Sequence, residues 1–314
     1  MQRVIIRKPG GYDRLELIEE PDPPGAIVVK AIGVNYADCV VRMGLYSSAK
    51  KYVGWPITPG FDLAGVTEDG RRVVAVTRFG AYASHVVVPP EQVFEIPDEM
   101  SFEEAAALPT AFLTASYALF ELGAPRPGKR ALVHSAAGGV GSALVQLLRI
   151  AECEVAGVVG GEHKVASVPA DRVFVREFEG EYDLVFDANG YKTLRKSYAA
   201  LAPTGRLIIY GFHSMLPRTG GKPNWLKLAY GLLRTPRFSP LDMTGDNKSV
   251  LAFNLSYLFD HTDLLRDMMG RLLGWWGEGR IKAPAIQTFP LAEVASAHAA
   301  LESGSTIGKL VLIP

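Results

Sequence analysis

The run ALVHSAAGGVGSALVQLL, residues 131–148, is apolar, breaks into glycines and resumes at helical spacing. A short strand, the turn Ala136-Ala137-Gly138-Gly139-Val140-Gly141, and then Leu144, Leu147, Leu148 and Ala151 on one helix face meet the needs of a dinucleotide pyrophosphate. Those needs are a tight turn, a backbone that can approach phosphate, and helix amides aimed at it. The spacing is G-x-G-x-x-G with Ala136 in the first position; Gly138 allows the close approach and Gly141 clears the crossing of helix over strand. Glycine-rich turns also arise for packing alone, and the further strand–helix units behind this one favour the cofactor reading. The second strand, EVAGVVGGEHK, ends in Val159-Gly160-Gly161 where an NAD site has an acid for the ribose diol, and Glu162 lies one step into the next turn. Lys164, and Arg176 at the end of DRVFVR, are cations for a 2′-phosphate, against the plainer reading of two solvated surface charges. NADPH is the expected cofactor.

A nicotinamide carries its own hydride, so the protein must add a pocket and a polar group that polarises the acceptor. In GVNYADCVVRMGLY, Asn35 closes an apolar run and offers an amide, and Tyr46 offers a phenol. The competing readings are a turn former and a packed aromatic.

Residues 1 to about 110 read as short strands (RVIIRK, AIVVKAIGVN, RRVVAVT, ASHVVVP) separated by Pro and Gly pairs. SFEEAAALPTAFLTASYALFEL then opens a helical stretch with Ser101 and Glu104 as a capping box and Pro109 as an interruption. Beyond Lys129 the strands ALVH, EVAGVV, RVFV, YDLVFDA and GRLIIYG lack polar alternation, which predicts a parallel sheet covered on both faces. The closing GKLVLIP is expected to rejoin the first domain. With 314 residues, 48% of them hydrophobic, two domains are the default. The 33 basic and 33 acidic residues cancel, which argues against nucleic acid as a partner and for a small molecule. Two cysteines, Cys39 and Cys153, and the lack of an export or spanning segment suggest a cytoplasmic protein. The segment 222–243 mixes Trp225, Leu226, Leu232 and Leu233 with Lys222, Lys227, Arg234 and Arg237. It reads as an insertion helix packed beside the active-site cleft, with membrane contact or a substrate cap as the sharper alternative.

GVNYADCVVRMGLY, TPGFDLAGVT, SFEEAAALPTAFLTASYAL, HSAAGGVG and GKLVLIP, in this order, resemble the zinc-independent quinone oxidoreductases of the medium-chain dehydrogenase/reductase superfamily. NKSVLAFNLSYL and the stretch from GRIKAPAIQTF to the C-terminus look most like its vesicle amine transport branch. The resemblance implies an α/β fold: a GroES-like β-rich catalytic domain over 1–117 and 261–314, and a doubly wound Rossmann NADP(H)-binding domain over 118–260. It sets Asn35, Phe61 and about Ala111 where zinc relatives hold their metal ligands, so no metal is expected. It implies that Asn35 and Tyr46 line the substrate pocket between the domains, with Tyr52 near its mouth. Thr114, Asn189, Tyr210-Gly211-Phe212, Phe253 and Leu255 would then border the nicotinamide, Ala137 to Gly141 and Gly160 the phosphates, and Lys164 the 2′-phosphate. Lys309 would face the pyrophosphate, and Arg176 stands where relatives often have Tyr. The function implied is NADPH-dependent reduction of a quinone or α,β-unsaturated carbonyl by a homodimer paired through VLAFNLSYL. The alternative is an NADPH-binding regulatory or membrane-associated protein with little turnover.

Overall fold

Short runs of Val, Ile and Ala without polar alternation need cover on both faces, and the chain builds its two large sheets from them, beside a small antiparallel pair of Gln2–Ile5 and Glu16–Glu19. The computed structural model describes residues 1–314. They divide into one unit of Met1–Leu113, Pro217–Pro223 and Leu255–Pro314, and a second of Thr114–Leu216 and Asn224–Asn254. Against the expected boundaries at 117/118 and 260/261, the difference of substance is Pro217–Pro223. This excursion is held in the first unit because Arg42 Nη2 donates to Gly221 O (2.8 Å).

The first unit carries a seven-stranded sheet in the order Ile286–Pro290, Lys309–Ile313, Ile27–Val34, Asp62–Val66, Arg72–Val76, Val93–Glu95, with His85–Val86 paired to Ile27–Val34. The C-terminal strand does rejoin this unit: Leu310 pairs with Val34 and Leu312 with Ile32, antiparallel. Val29, Ile32, Leu63, Val73, Tyr82, Val294 and Leu312 are among its core residues. The capping box forms as predicted, with Glu104 N donating to Ser101 Oγ (3.1 Å) and Ser101 N to Glu104 Oε2 (3.0 Å). Pro109 ends the helix Phe102–Ala107 and opens the next one, Pro109–Ser116, at its first position, where its missing N–H leaves no helix bond unmade.

The second unit is an all-parallel, six-stranded sheet in the order Arg172–Val175, Glu154–Val159, Arg130–His134, Tyr182–Asp187, Leu201–Ile209, Ser249–Ala252. In order of appearance this is 3-2-1-4-5-6, the doubly wound arrangement, whose direction reverses between Arg130–His134 and Tyr182–Asp187. Ligands of such sheets bind beyond the carboxyl ends of the strands at that reversal. Two connections depart from the expected helices. A 3-10 turn, Glu162–Ser167, follows Glu154–Val159, and no helix separates Val175 from Tyr182. Pro169 and the short spacing leave no room for a second full helix.

The helix Gly139–Ile150 rests on its strand at Gly141, where an added Cβ would lie 2.2 Å from Ser135 O. Gly141→Val is therefore expected to lower unfolding stability by about 1–3 kcal/mol, read as a fall in urea midpoint at unchanged slope.

Candidate active site

Asn35 ends the strand Ile27–Val34 and precedes the helix Tyr36–Arg42. Its backbone N–H donates to Asp38 Oδ2 (2.7 Å), but its side chain makes no cap hydrogen bond. Instead, Asn35 Nδ2 donates to Asp62 Oδ2 (2.8 Å) and Asn35 Oδ1 accepts from Lys309 Nζ (2.5 Å). The ammonium also lies 3.1 Å from Asp62 Oδ2. Asp62 Oδ1 accepts from Thr110 N (2.8 Å) and from the Thr110 hydroxyl. Asp62 is fully buried, Lys309 is 4% exposed and Asn35 is 9% exposed. A lysine only donates and a carboxylate only accepts, so the orientation of the amide is determined: one N–H remains for another acceptor.

Behind this cluster runs a second buried chain. Asp38 accepts from Gly60 N (3.1 Å) and the Tyr82 hydroxyl (3.0 Å) as well as from Asn35. His298 lies 3.2 Å from the Tyr82 hydroxyl through Nε2 and 3.1 Å from Arg42 Nη1 through Nδ1. A guanidinium only donates, so Nδ1 accepts and Nε2 carries the proton, which it donates to the Tyr82 oxygen. Arg42 Nη2 pairs with Glu302 Oε1 (2.6 Å), and Tyr12 OH donates to Glu302 Oε2 (2.8 Å). Burial pushes the Asp38 carboxyl up to about 7 against its three donors, and burial, then Arg42, holds His298 well below the usual imidazole range. Ligand atoms of Cys39, His298 and Glu302 lie within 4.8 Å of one another, but the Arg42 guanidinium already bonds the His298 and Glu302 members, supplying the positive charge there.

Aromatic rings form a wall in the same unit. Tyr46 meets Phe61 (6.1 Å) and Phe79 (6.2 Å) edge-on, and Phe61 and Phe79 stand 5.1 Å apart. Tyr52 faces Tyr257 (6.0 Å) and lies under the Arg78 guanidinium (3.9 Å), which also pairs with Asp260 (2.9 Å).

In the second unit the turn Ala136–Gly141 follows Arg130–His134 at the reversal point of the sheet. The helix Gly139–Ile150 has no side chain capping its N-terminus, a Cβ at Gly138 would meet only Ser135 O (3.3 Å), and the space at Gly160 is open. Uncapped helix amides behind a Cβ-free approach fit a pyrophosphate. Ser135 Oγ donates to Asn189 Oδ1 (3.2 Å). Asn189 Nδ2 donates to His134 Nδ1 (3.3 Å), His134 Nε2 to Ser197 Oγ (3.0 Å), and Ser197 Oγ to Asp187 Oδ2 (2.8 Å). This chain holds Asn189 against the glycine turn, and burial keeps His134 below its ordinary pKa. Arg176, at a positive φ of 66°, donates Nε to Gly160 O (3.2 Å), while Lys164 is buried in the 3-10 turn rather than solvated. Tyr210 and Phe253 share an aromatic cluster with Tyr117 (6.4 and 4.9 Å from Phe253). Thr114 is buried in this unit, Gly211 backs onto Ala188 O and Phe212 is exposed, whereas Leu255 belongs to the first unit.

The sequence expectations thus sort into two groups: Asn35, Tyr46 and Tyr52 in the first unit, and the phosphate-facing set in the second. The resemblance sets Lys309 facing the pyrophosphate; in the structure its ammonium has two partners in its own unit. The pairing of Leu310 with Val34 sets it beside Asn35, where Asn35 and Asp62 take its ammonium. Sequence reasoning passed over Asp62, Asp38, Tyr82, His298 and Arg78. Asp62 did leave a signal, as a lone acid opening the apolar strand DLAGV, since a buried carboxylate requires a partner.

The "Synaptic vesicle membrane protein VAT-1 homolog" of Homo sapiens is 33% identical to this chain over 97% of the chain and 84% of the relative. The chain belongs to the VAT-1 branch of the medium-chain dehydrogenase/reductase family. A family model described as "Zinc-binding dehydrogenase" matches residues 161–312. The solved human VAT-1 homolog-like protein is 29% identical with a TM-score of 0.82, covering 100% of this chain and 98% of that one. The Thermus thermophilus quinone oxidoreductase, solved alone and with NADPH, is 31% identical with a TM-score of 0.85 over 100% of both chains. This member of the VAT-1 branch has asparagine, phenylalanine and alanine at 35, 61 and 111, none of which offers zinc a thiolate, imidazole or carboxylate.

Two outcomes follow from the buried charges. Lys309→Met strands the Asp62 carboxylate and is expected to lower unfolding stability by about 3–5 kcal/mol in urea titrations. The Asp38 pKa is higher in the folded protein than the ordinary 3.8, so folding takes up a proton between pH 3.8 and about 7. Stability contributed by the protonated group is therefore present below that window and lost as pH rises through it. Asp38→Asn should remove this component, so urea unfolding at each pH should show the stability of wild type relative to Asp38→Asn declining from pH 4 to about pH 7.

Proposed function

We propose that this chain is an NADPH-dependent reductase that delivers a hydride to a quinone or an α,β-unsaturated carbonyl without a metal ion. The observation that carries the reading is Asn35, whose amide is oriented by Lys309 and Asp62 with a single N–H left to donate. A donor already oriented before the reaction stabilises negative charge developing on a carbonyl oxygen without reorganising, which is the largest usual contribution to such catalysis. The quinone oxidoreductase relative solved with NADPH supports the choice of cofactor.

Bound NADPH supplies the hydride and solvent the balancing proton, yielding NADP+ and the reduced acceptor. The residues of the chain do the rest. Asn35 holds the acceptor oxygen, and Tyr46 and Tyr52 offer a ring wall that orients a flat substrate and excludes water. Ala137 to Gly141 receive the pyrophosphate, Gly160 leaves space beside it, and Lys164 and Arg176 meet the 2′-phosphate. Thr114, Asn189, Tyr210, Gly211, Phe212, Phe253 and Leu255 are assigned to the nicotinamide end, with Asn189 positioned through His134. Lys309 is assigned to Asn35 instead of to phosphate. The strand Ser249–Ala252, at the edge of its sheet, is the proposed pairing edge of a cytoplasmic homodimer.

Purified full-length protein tests this with NADPH oxidation across a panel of quinones and enones. Asn35→Ala is expected to lose roughly 10²–10³-fold in kcat, with NADPH affinity unchanged. Tight NADPH binding with no turnover on any acceptor would instead identify a nucleotide-binding protein. Lys164→Ala should weaken NADPH but not NADH; equal effects on both would remove the phosphate assignment.

A further inference from the structure

The aromatic wall is rimmed with positive charge. Residues 39–61 and 70–90, which supply Tyr46, Tyr52, Phe61 and Phe79, hold Arg42, Lys50, Lys51, Arg71, Arg72 and Arg78 and not one acid, although the net charge of the chain is zero. Arg42 pairs with Glu302, and Arg71 with Asp69 and Glu95. Arg72 donates to the carbonyls of Asp98 and Met100. Arg78 and Lys51 are placed differently. The guanidinium lies 3.9 Å and the Lys51 ammonium 4.9 Å from the centroid of the same Tyr52 ring, and Lys51 also stands 5.3 Å from that of Tyr257. Two cations at one ring repel each other, and the acid that meets them, Asp260, is 65% exposed and pairs with Arg78 alone.

The turn that carries Arg78 is strained. Phe79 has a φ of 70°, in the left-handed region where a bulky side chain is an outlier, and such strain gathers at ligand sites. Its surroundings hold it there: Thr77 Oγ1 donates to Phe79 O (2.9 Å), and the buried ring packs on Phe61 and Tyr46. Consecutive residues of an extended strand face opposite ways. Here Phe79 packs on Phe61, while Arg78 reaches Phe259 (5.8 Å), which itself lies 6.2 Å from Phe61, so both side chains address one ring cluster. Arg78 Nε donates to Ser256 O (3.1 Å), which fixes the fork. Its Nη2, 2.9 Å from Asp260 Oδ1, is nevertheless buried without an aligned hydrogen bond, and Nη1 donates to no atom of the chain. A buried donor left without an acceptor is uncommon in a folded protein, and a planar fork with free N–H groups suits a carboxylate.

The rings call for a flat molecule and the cations for an anion on it. Phe61 precedes Asp62, which orients Asn35, so the ring contacts from Phe61 to Phe259 and on to Arg78 set the guanidinium at the far end of the wall from the Asn35 amide. Resting on the reductase reading above, we propose that Arg78, with Lys51 beside it, selects acceptors that are flat and conjugated and carry a carboxylate at the end remote from the carbonyl that Asn35 holds.

The test compares naphthoquinone with a naphthoquinone bearing a carboxylate on the ring remote from its carbonyls, as NADPH-dependent kcat/KM with the full chain. The anionic quinone is expected to be favoured roughly tenfold, through KM, as one charged hydrogen bond provides, and added salt should reduce the preference. Arg78→Met should abolish the preference and Arg78→Lys restore part of it. Asp260→Asn removes the competing carboxylate and should raise the preference severalfold, which an arginine that only supports Tyr52 would not do. A ratio near one in the wild type, or one that Arg78→Met leaves unchanged, overturns the proposal. Calorimetry of naphthoate and of naphthamide on the NADPH-loaded protein reads the same contact without turnover. Preference for naphthoate that Arg78→Met removes, with no quinone reduced, would uphold the anion site and lose the reductase reading; equal binding of the two would overturn the anion site whether or not quinones are reduced.

Discussion

Lys309, Asp62 and Asn35 form the contact on which the first unit turns. Three polar side chains are taken almost wholly out of water in a unit whose surroundings are Val, Ile, Leu and Ala. An ammonium or a carboxylate alone in that position would be strongly destabilising, and the pair is tolerable only because every oxygen of Asp62 is met by donors. The pairing of the C-terminal strand with Ile27–Val34 delivers Lys309 to this point, and Asp62 comes from the strand on the other side of Ile27–Val34. Three strands distant in sequence are thus tied at one end of their sheet by one charge pair. The Asn35 amide inherits its orientation from that tie.

The second unit satisfies its own buried carboxylate with neutral donors. Asp187 accepts from Asn189 N, Gly190 N and Thr193 Oγ1 on one oxygen and from Ser197 on the other. His134, kept neutral by burial, relays this order to Asn189, and Asn189 bonds Ser135 at the glycine turn. The turn is therefore held from the neighbouring strand across the reversal point of the sheet. A site that must admit phosphate to bare amides keeps its shape through such second contacts, since few can come from the amides themselves.

Charge is uneven on this chain despite its zero sum. Acids and bases pair at several places on the surface, as Lys129 with Asp183 and Arg71 with Asp69 and Glu95. The stretch around Trp225–Arg234 instead sets cations beside exposed leucines. Its helix is held by a glycine contact and a lysine–carbonyl bond, neither of which requires that the leucines turn inward.

Local pattern carried much of the molecule. The parallel sheet, the glycine turn, the capping box at Ser101 and the return of the last strand were all legible, because each depends on residues near one another or on apolar runs that can be buried only one way. Asn35 and Tyr46 were legible as polar groups beside an apolar run, but not for what holds them. The resemblance set Lys309 at the pyrophosphate, and nothing along the chain shows that Asn35 and Asp62 take its ammonium. Asp38, Tyr82, His298 and Arg42 read as an ordinary helix, strand and tail, since their partners lie up to 260 residues away, as in Arg42 and Glu302. The outward face of Trp225–Arg234 was equally hidden, because a helical pattern gives the apolar stripe without its direction. By itself the sequence determined the two sheets and the phosphate turn, whose causes are local. Only the tertiary structure decided which ammonium orients Asn35 and which way the leucines face, because both depend on strand neighbours and backbone contacts that no spacing along the chain encodes.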